Sequence, residues 1–142
     1  MISKSKDYWK GSAADDINEY LRLYSKSKDI EIKNVVCESC GGTDFVVDCD
    51  SDECAIRVKC ARCGRMKFIA DSEEYWEDAD PETVICPICG CNIYNVKAGF
   101  VRDEERIKWI YIGIRCIRCG ALGSPLDWSI DYEPDEELDR GL

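Results

Sequence analysis

Apolar and polar positions alternate with a period of two along much of this chain, and one stretch near its start follows the period of a helix. Ile17, Tyr20, Leu21 and Tyr24 recur at helical spacing, which puts them on a single helix face. Ser12 and Asp15 stand at the spacing of a capping box, Asp15 and Asp16 suit the positive helix end, and Lys26 and Lys28 suit the exit. This helix is expected to pack on the strands that follow it, in the first half of the chain. Its tyrosines also suit an interface.

The strand pattern comes in two blocks. Residues 43–49 are rich in β-prone side chains, and Asp50-Ser51-Asp52-Glu53 is polar enough to turn a hairpin. Cys54, Ile56, Val58 and Cys60 then alternate with Ala55, Arg57 and Lys59, which reads as a half-buried strand. In the second block, residues 94–101 predict a strand, residues 102–105 a hairpin tip, and residues 106–116 a long return strand. That return strand is apolar on both faces, with Ile110, Ile112, Ile114 and Cys116 on one and Ile107, Trp109 and Tyr111 on the other. It must therefore be covered on both sides.

Cysteine changes this picture most. Each block is bracketed by two Cys-x-x-Cys-Gly hooks: Cys37, Cys40, Cys60 and Cys63 in the first, Cys86, Cys89, Cys116 and Cys119 in the second. Four thiolates offered in pairs from tight turns are the ligand set of a tetrahedral zinc ion. Iron accepts the same set. Four-thiolate closure leaves no position for water or substrate, so two structural zinc ions are expected rather than catalytic ones. Cys49, Cys54 and Cys91 are left over and read as small buried fillers.

The expected architecture is small, α+β and metal-stabilised: an N-terminal helical segment (1–34), a first antiparallel β unit (35–70), an acidic linker (71–84), a second β unit (85–128) and an acidic tail (129–142). Units of this size rarely fold on a hydrophobic core alone, and metal binding supplies the deficit. Residues 1–10 are polar, with no apolar run of the signal-peptide kind, and no segment approaches a membrane span. With an odd count of 11 cysteines at metal-ligand spacing, a reducing, cytoplasmic setting is expected.

Charge narrows the function classes. The formal net charge is -10, and two occupied four-thiolate sites bring it to about -14. Such a chain is a poor general binder of phosphate and a natural partner for a basic protein. The absence of histidine excludes Ser-His and Cys-His nucleophilic catalysis. Arg57, Lys59, Arg62, Arg65 and Lys67 form the one sizeable positive stripe, which leaves nucleic acid as an alternative partner. The acids at residues 71–82 follow it directly, so the two either neutralise each other or face outward. Candidate partner-binding residues are Tyr75, Trp76, Trp109 and Tyr111 with the Asp103, Glu104 and Glu105 tip.

The sequence Cys86-Pro87-Ile88-Cys89-Gly90, a hairpin, then Cys116-Ile117-Arg118-Cys119-Gly120 resembles the zinc-ribbon family, and the first unit is similar to a divergent copy. Arg102-Asp103-Glu104 is loosely similar to the acidic hairpin tip of transcription elongation factor S ribbons, which carry a longer Arg-Ser-Ala-Asp-Glu tip. The resemblance implies tandem ribbons and, as one alternative, a transcription-associated role. Rubredoxins share the double hook, which implies an electron carrier as a lesser alternative. The reading preferred on the residues is a non-catalytic zinc protein of inhibitor, immunity or adaptor type that binds a basic partner.

Overall fold

The structure, a computed structural model, describes residues 2–4, 8–27, 29–104 and 106–130. The chain runs through β1 (Ile2–Lys4), β2 (Trp9–Gly11), α1 (Asp16–Ser25), β3 (Glu31–Asn34), β4 (Phe45–Asp50), β5 (Ala55–Cys60), β6 (Met66–Phe68), α2 (Ser72–Tyr75), a 3-10 turn (Trp76–Asp78), β7 (Glu82–Thr83), β8 (Tyr94–Asp103), β9 (Arg106–Cys116) and β10 (Ala121–Ser129). It is a small α+β fold dominated by antiparallel strands. The sheet order is β1-β2-β10-β9-β8-β4-β5-β6, with β3 added to β8 and β7 to β4.

Strand alternation sets the faces of the central pair. Tyr94, Val96, Ala98 and Phe100 of β8 stand opposite Cys116, Ile114, Ile112 and Ile110 of β9, all on one buried face. Phe45, Val47, Ile56 and Val58 from β4 and β5 pack into the same core, with Leu126 and Trp128 of β10. The two hairpins thus share one core, and Phe45 pairs with Tyr94 where β4 meets β8.

Helix α1 covers the opposite face of the second hairpin, not the first hairpin as its amphipathic pattern alone suggested. Ile17 and Leu21 are fully buried there, over Gly99 and Gly113. A Cβ on Gly113 would lie 2.5 Å from Ile17 Cγ2, and one on Gly99 would lie 2.6 Å from Ile30 Cδ1. Both glycines are therefore seats for larger side chains. Gly113→Ala is expected to lower stability by about 1–3 kcal/mol through overpacking. A thermal melt reads this, and Ile17→Ala should cost less in the Gly113→Ala background than in the parent chain.

The helix entry differs from a capping box. The helix begins at Asp16, and Asp15 makes no capping hydrogen bond. Asp16 Oδ2 instead accepts the amides of Ser12 (2.8 Å) and Ala13 (3.1 Å). Asp15 is drawn off to Lys97, whose Nζ donates to its Oδ1 at 2.9 Å. Lys97 is only 4% exposed, so this pair keeps a buried cation from being left without a counter-charge. Beside it, Arg115 donates to Gly11 O (2.8 Å) and Asn95 Oδ1 (3.0 Å), joining β2, β8 and β9.

Residues 71–84, read from the sequence as a linker, act as a strut. The Ile56 amide donates to Ser72 Oγ at 2.9 Å, and the Trp128 indole donates to Asp71 Oδ1 at 3.2 Å. One segment therefore grips β5 and β10 together. Thr83 Oγ1 donates to Asp48 Oδ1 at 2.6 Å and pins β7 to β4. The acidic tail at 131–142 and Glu105 lie outside the described residues. Among the described residues, no helix is long and apolar enough to cross a membrane.

Candidate metal centres and the surface they support

The hooks fold as one local structure repeated four times. Gly41, Gly64, Gly90 and Gly120 all have φ between +74° and +82°, a conformation that favours glycine. Each donates its amide to the carbonyl of the first cysteine of its hook, at 2.8–2.9 Å: Cys37, Cys60, Cys86 and Cys116 in turn. The reverse bonds, Cys37 N to Gly42 O, Cys60 N to Arg65 O and Cys86 N to Cys91 O, close three of the turns. Gly120 is doubly constrained, since a Cβ there would sit 2.4 Å from Gly11 O.

These turns bring the eight predicted cysteines into two quartets. Cys37, Cys40, Cys60 and Cys63 form one and Cys86, Cys89, Cys116 and Cys119 the other, with all four sulfurs of each within 4.8 Å of one another. The short separations are 3.4 Å for Cys37–Cys63, 3.5 Å for Cys40–Cys60, 3.6 Å for Cys86–Cys119 and 3.5 Å for Cys89–Cys116. A tetrahedron with metal–sulfur bonds near 2.3 Å has sulfurs roughly 3.8 Å apart, so each quartet lies near the spacing a metal ion needs.

Electrostatics make the same point. The amide of Cys40, with that of Ser39, faces the Cys37 sulfur and pulls its thiol down to about 6. Amides of Cys63 and Arg62 likewise hold the Cys60 thiol below its ordinary range. Burial, with its neighbours Cys86, Cys89 and Cys116, drives Cys119 up to about 12 despite the Ala121 amide. Four sulfurs this close cannot all ionise alone, and a divalent cation is what lets them. The donor set is closed, and the amides aimed at the sulfurs orient it. Cys49, Cys54 and Cys91 stand outside both quartets, partly buried against the core.

The aromatic candidates fall in different places. Trp109 is 37% exposed and stacks on Tyr111 with ring centres 6.3 Å apart; Tyr111 meets Tyr24 edge-on at 6.0 Å, and Tyr24 stacks on Tyr20 at 5.9 Å. Asp127 anchors this row, accepting the Trp109 indole at 2.9 Å and the Tyr24 hydroxyl at 3.5 Å. Burial, and then the Asp127 charge, raises the pKa of both Tyr24 and Tyr111. Tyr75 joins Trp109 along one cleft. Trp76 does not: it packs edge-on against Phe68 at 5.3 Å, and Arg57 lies over its ring at 4.8 Å. Asp103 and Glu104 are exposed at the hairpin tip, with Lys108 3.7 Å from Asp103.

The basic stripe is partly engaged inside the molecule. Arg57 pairs with Asp48 at 3.4 Å, Arg65 reaches Glu38 at 4.0 Å, and Lys67 donates to Val36 O at 3.0 Å. Asp48 and Glu38, rather than the acids of the 71–82 run, make these ion pairs. The residues that sequence reasoning missed are Asp127 and Trp128 on β10. Their signal was the alternation Leu126, Trp128, Ile130 beyond the last hook. No known protein family, curated protein or solved structure matches the chain.

Proposed function

We propose that this chain is a non-catalytic zinc protein, built as tandem ribbons in a reducing compartment, that binds a basic protein partner as an inhibitor, immunity or adaptor module. The observation that carries the reading is the aromatic row of exposed Trp109 and Tyr24 with half-buried Tyr111 between them, tied to the carboxylate of Asp127 on an acidic chain. Aromatic anchors beside fixed negative charge suit a basic surface. The closed cysteine quartets support a scaffolding part for the metals, since a four-sulfur shell offers no open position.

Arginine- and lysine-rich peptides should bind the metal-loaded protein at low salt, and calorimetry should show the affinity falling as salt rises. Absence of binding, or binding indifferent to salt, counts against the reading. Elemental analysis is expected to find about two zinc ions per chain, and visible iron–thiolate colour would favour the electron carrier instead. The nucleic-acid alternative has less behind it. Arg57 is already committed to Asp48 and Trp76, which leaves a shorter positive surface to follow phosphates.

A further inference from the structure

We propose that the cleft formed by Glu53, Asp71, Tyr75, Trp109, Asp127 and Trp128 holds the guanidinium group of an arginine presented by a basic partner. The proposal rests on the reading just given and specifies the contact. The cleft measures about 430 Å³, within the range of small-ligand sites. It draws Glu53 from the turn after β4, Asp71 and Tyr75 from the strut, Trp109 from β9, and Asp127 and Trp128 from β10. Only the shared core brings these segments together. Among the described residues, no lysine or arginine lines it.

The lining selects its occupant by exclusion. An apolar group would strip water from the half-exposed carboxylates of Glu53 and Asp127 and give them nothing in return. An anion would be repelled. A bare metal ion needs ligand atoms close together, yet among the described residues only the two cysteine quartets bring such atoms within 4.8 Å of one another. Carboxylates set apart by aromatic walls suit a wide, flat cation. Arginine is that cation: planar, weakly hydrated, able to stack on rings and to offer two parallel N–H donors to a carboxylate.

Two further observations agree. The molecule already grips one of its own arginines with the same chemistry, for Arg57 lies over the Trp76 ring at 4.8 Å while its Nη2 reaches Asp48 at 3.4 Å. The Cys54 thiol, also on the cleft wall, is held above its ordinary range by burial and then by the negative field of Asp71, Asp127, Asp50 and Glu53. The space is electrically negative.

The test uses the full metal-loaded chain, labelled with nitrogen-15, titrated with a short arginine–glycine peptide. Lysine–glycine and glutamine–glycine peptides serve as controls. The expected result is movement of the Trp109 and Trp128 indole N–H resonances, with those of Trp9 and Trp76 unmoved. The double variant Glu53→Gln, Asp127→Asn keeps one acceptor oxygen at each position while removing charge, and should bind the arginine peptide about tenfold or more weaker. Its free spectrum and metal content verify the fold. Lysine should bind less tightly than arginine, and glutamine not at all. Unchanged affinity in the double variant, perturbation confined to other parts of the chain, or lysine binding as well as arginine overturns the arginine cleft while leaving the basic-partner reading intact. Failure of every basic peptide to bind at low salt removes both.

Discussion

Serine in place of Cys60, or separately in place of Cys116, is expected to abolish the cooperative unfolding transition of the whole chain, not only of the hairpin that carries the substitution. Both sulfurs are buried, at 1% and 0% exposure. Each belongs to a different quartet, so each variant breaks one site and spares the other. The free energy of a structural zinc site is about 10–16 kcal/mol in finger peptides, and a whole domain is stable by only about 5–15 kcal/mol. Losing one site removes a free energy as large as that margin. Were the hairpins independent, the spared one would still melt cooperatively with its metal. Because Phe45, Val47, Ile56 and Val58 lie in one core with Phe100, Ile112 and Trp128, no such remnant is expected. Near-ultraviolet circular dichroism against temperature, together with metal content, reads the outcome. A variant holding one ion and a sharp transition of half the amplitude would contradict the shared core.

Phe45→Ala is the second large effect, expected to cost about 3–5 kcal/mol through lost burial and the cavity left behind. Phe45 is 1% exposed and sits opposite Tyr94 at the junction of β4 with β8. Urea unfolding should show a lower midpoint, with both metals still bound at zero denaturant. Tyr24→Ala, an exposed ring on the far side of the sheet, serves as the reference and should cost far less. A Phe45 variant within about 1 kcal/mol of the parent would mean that the core collapses around the gap, or that the halves do not lean on this ring.

The two cysteine quartets could be read from sequence because their geometry is local: two residues between cysteines and a glycine at positive φ suffice to build each hook. Residues 106–116 were equally legible, since a run rich in isoleucine and aromatics on both faces, between a polar tip and a cysteine hook, reads as one strand, and β9 spans them. Strand β10 was not. Its register shifts between Gly123 and Leu126 around Pro125, so Leu122 faces the helix side while Leu126 and Trp128 face the main core. A period of two cannot survive that bulge. Strands β1, β2 and β3 hold only three or four residues; β2 and β3 add to the edges of the longer β10 and β8, and β1 adds to β2. The seat of α1 depended on Gly99 and Gly113, two absences of side chain whose meaning appears only when the helix lies across them. The cleft was hidden for a similar reason, since Glu53, Asp71 and Asp127 become neighbours only through tertiary packing.

The short strands at the ends of the sheet have a consequence for how the protein behaves when crowded. The order closes with β1 on one side and β6 on the other, each of three residues, and β6 carries Lys67 between Met66 and Phe68. A neighbouring molecule seeking to extend the sheet finds too few free amides and carbonyls to grip, and a cation among them. These two borders are therefore poor templates for a further strand.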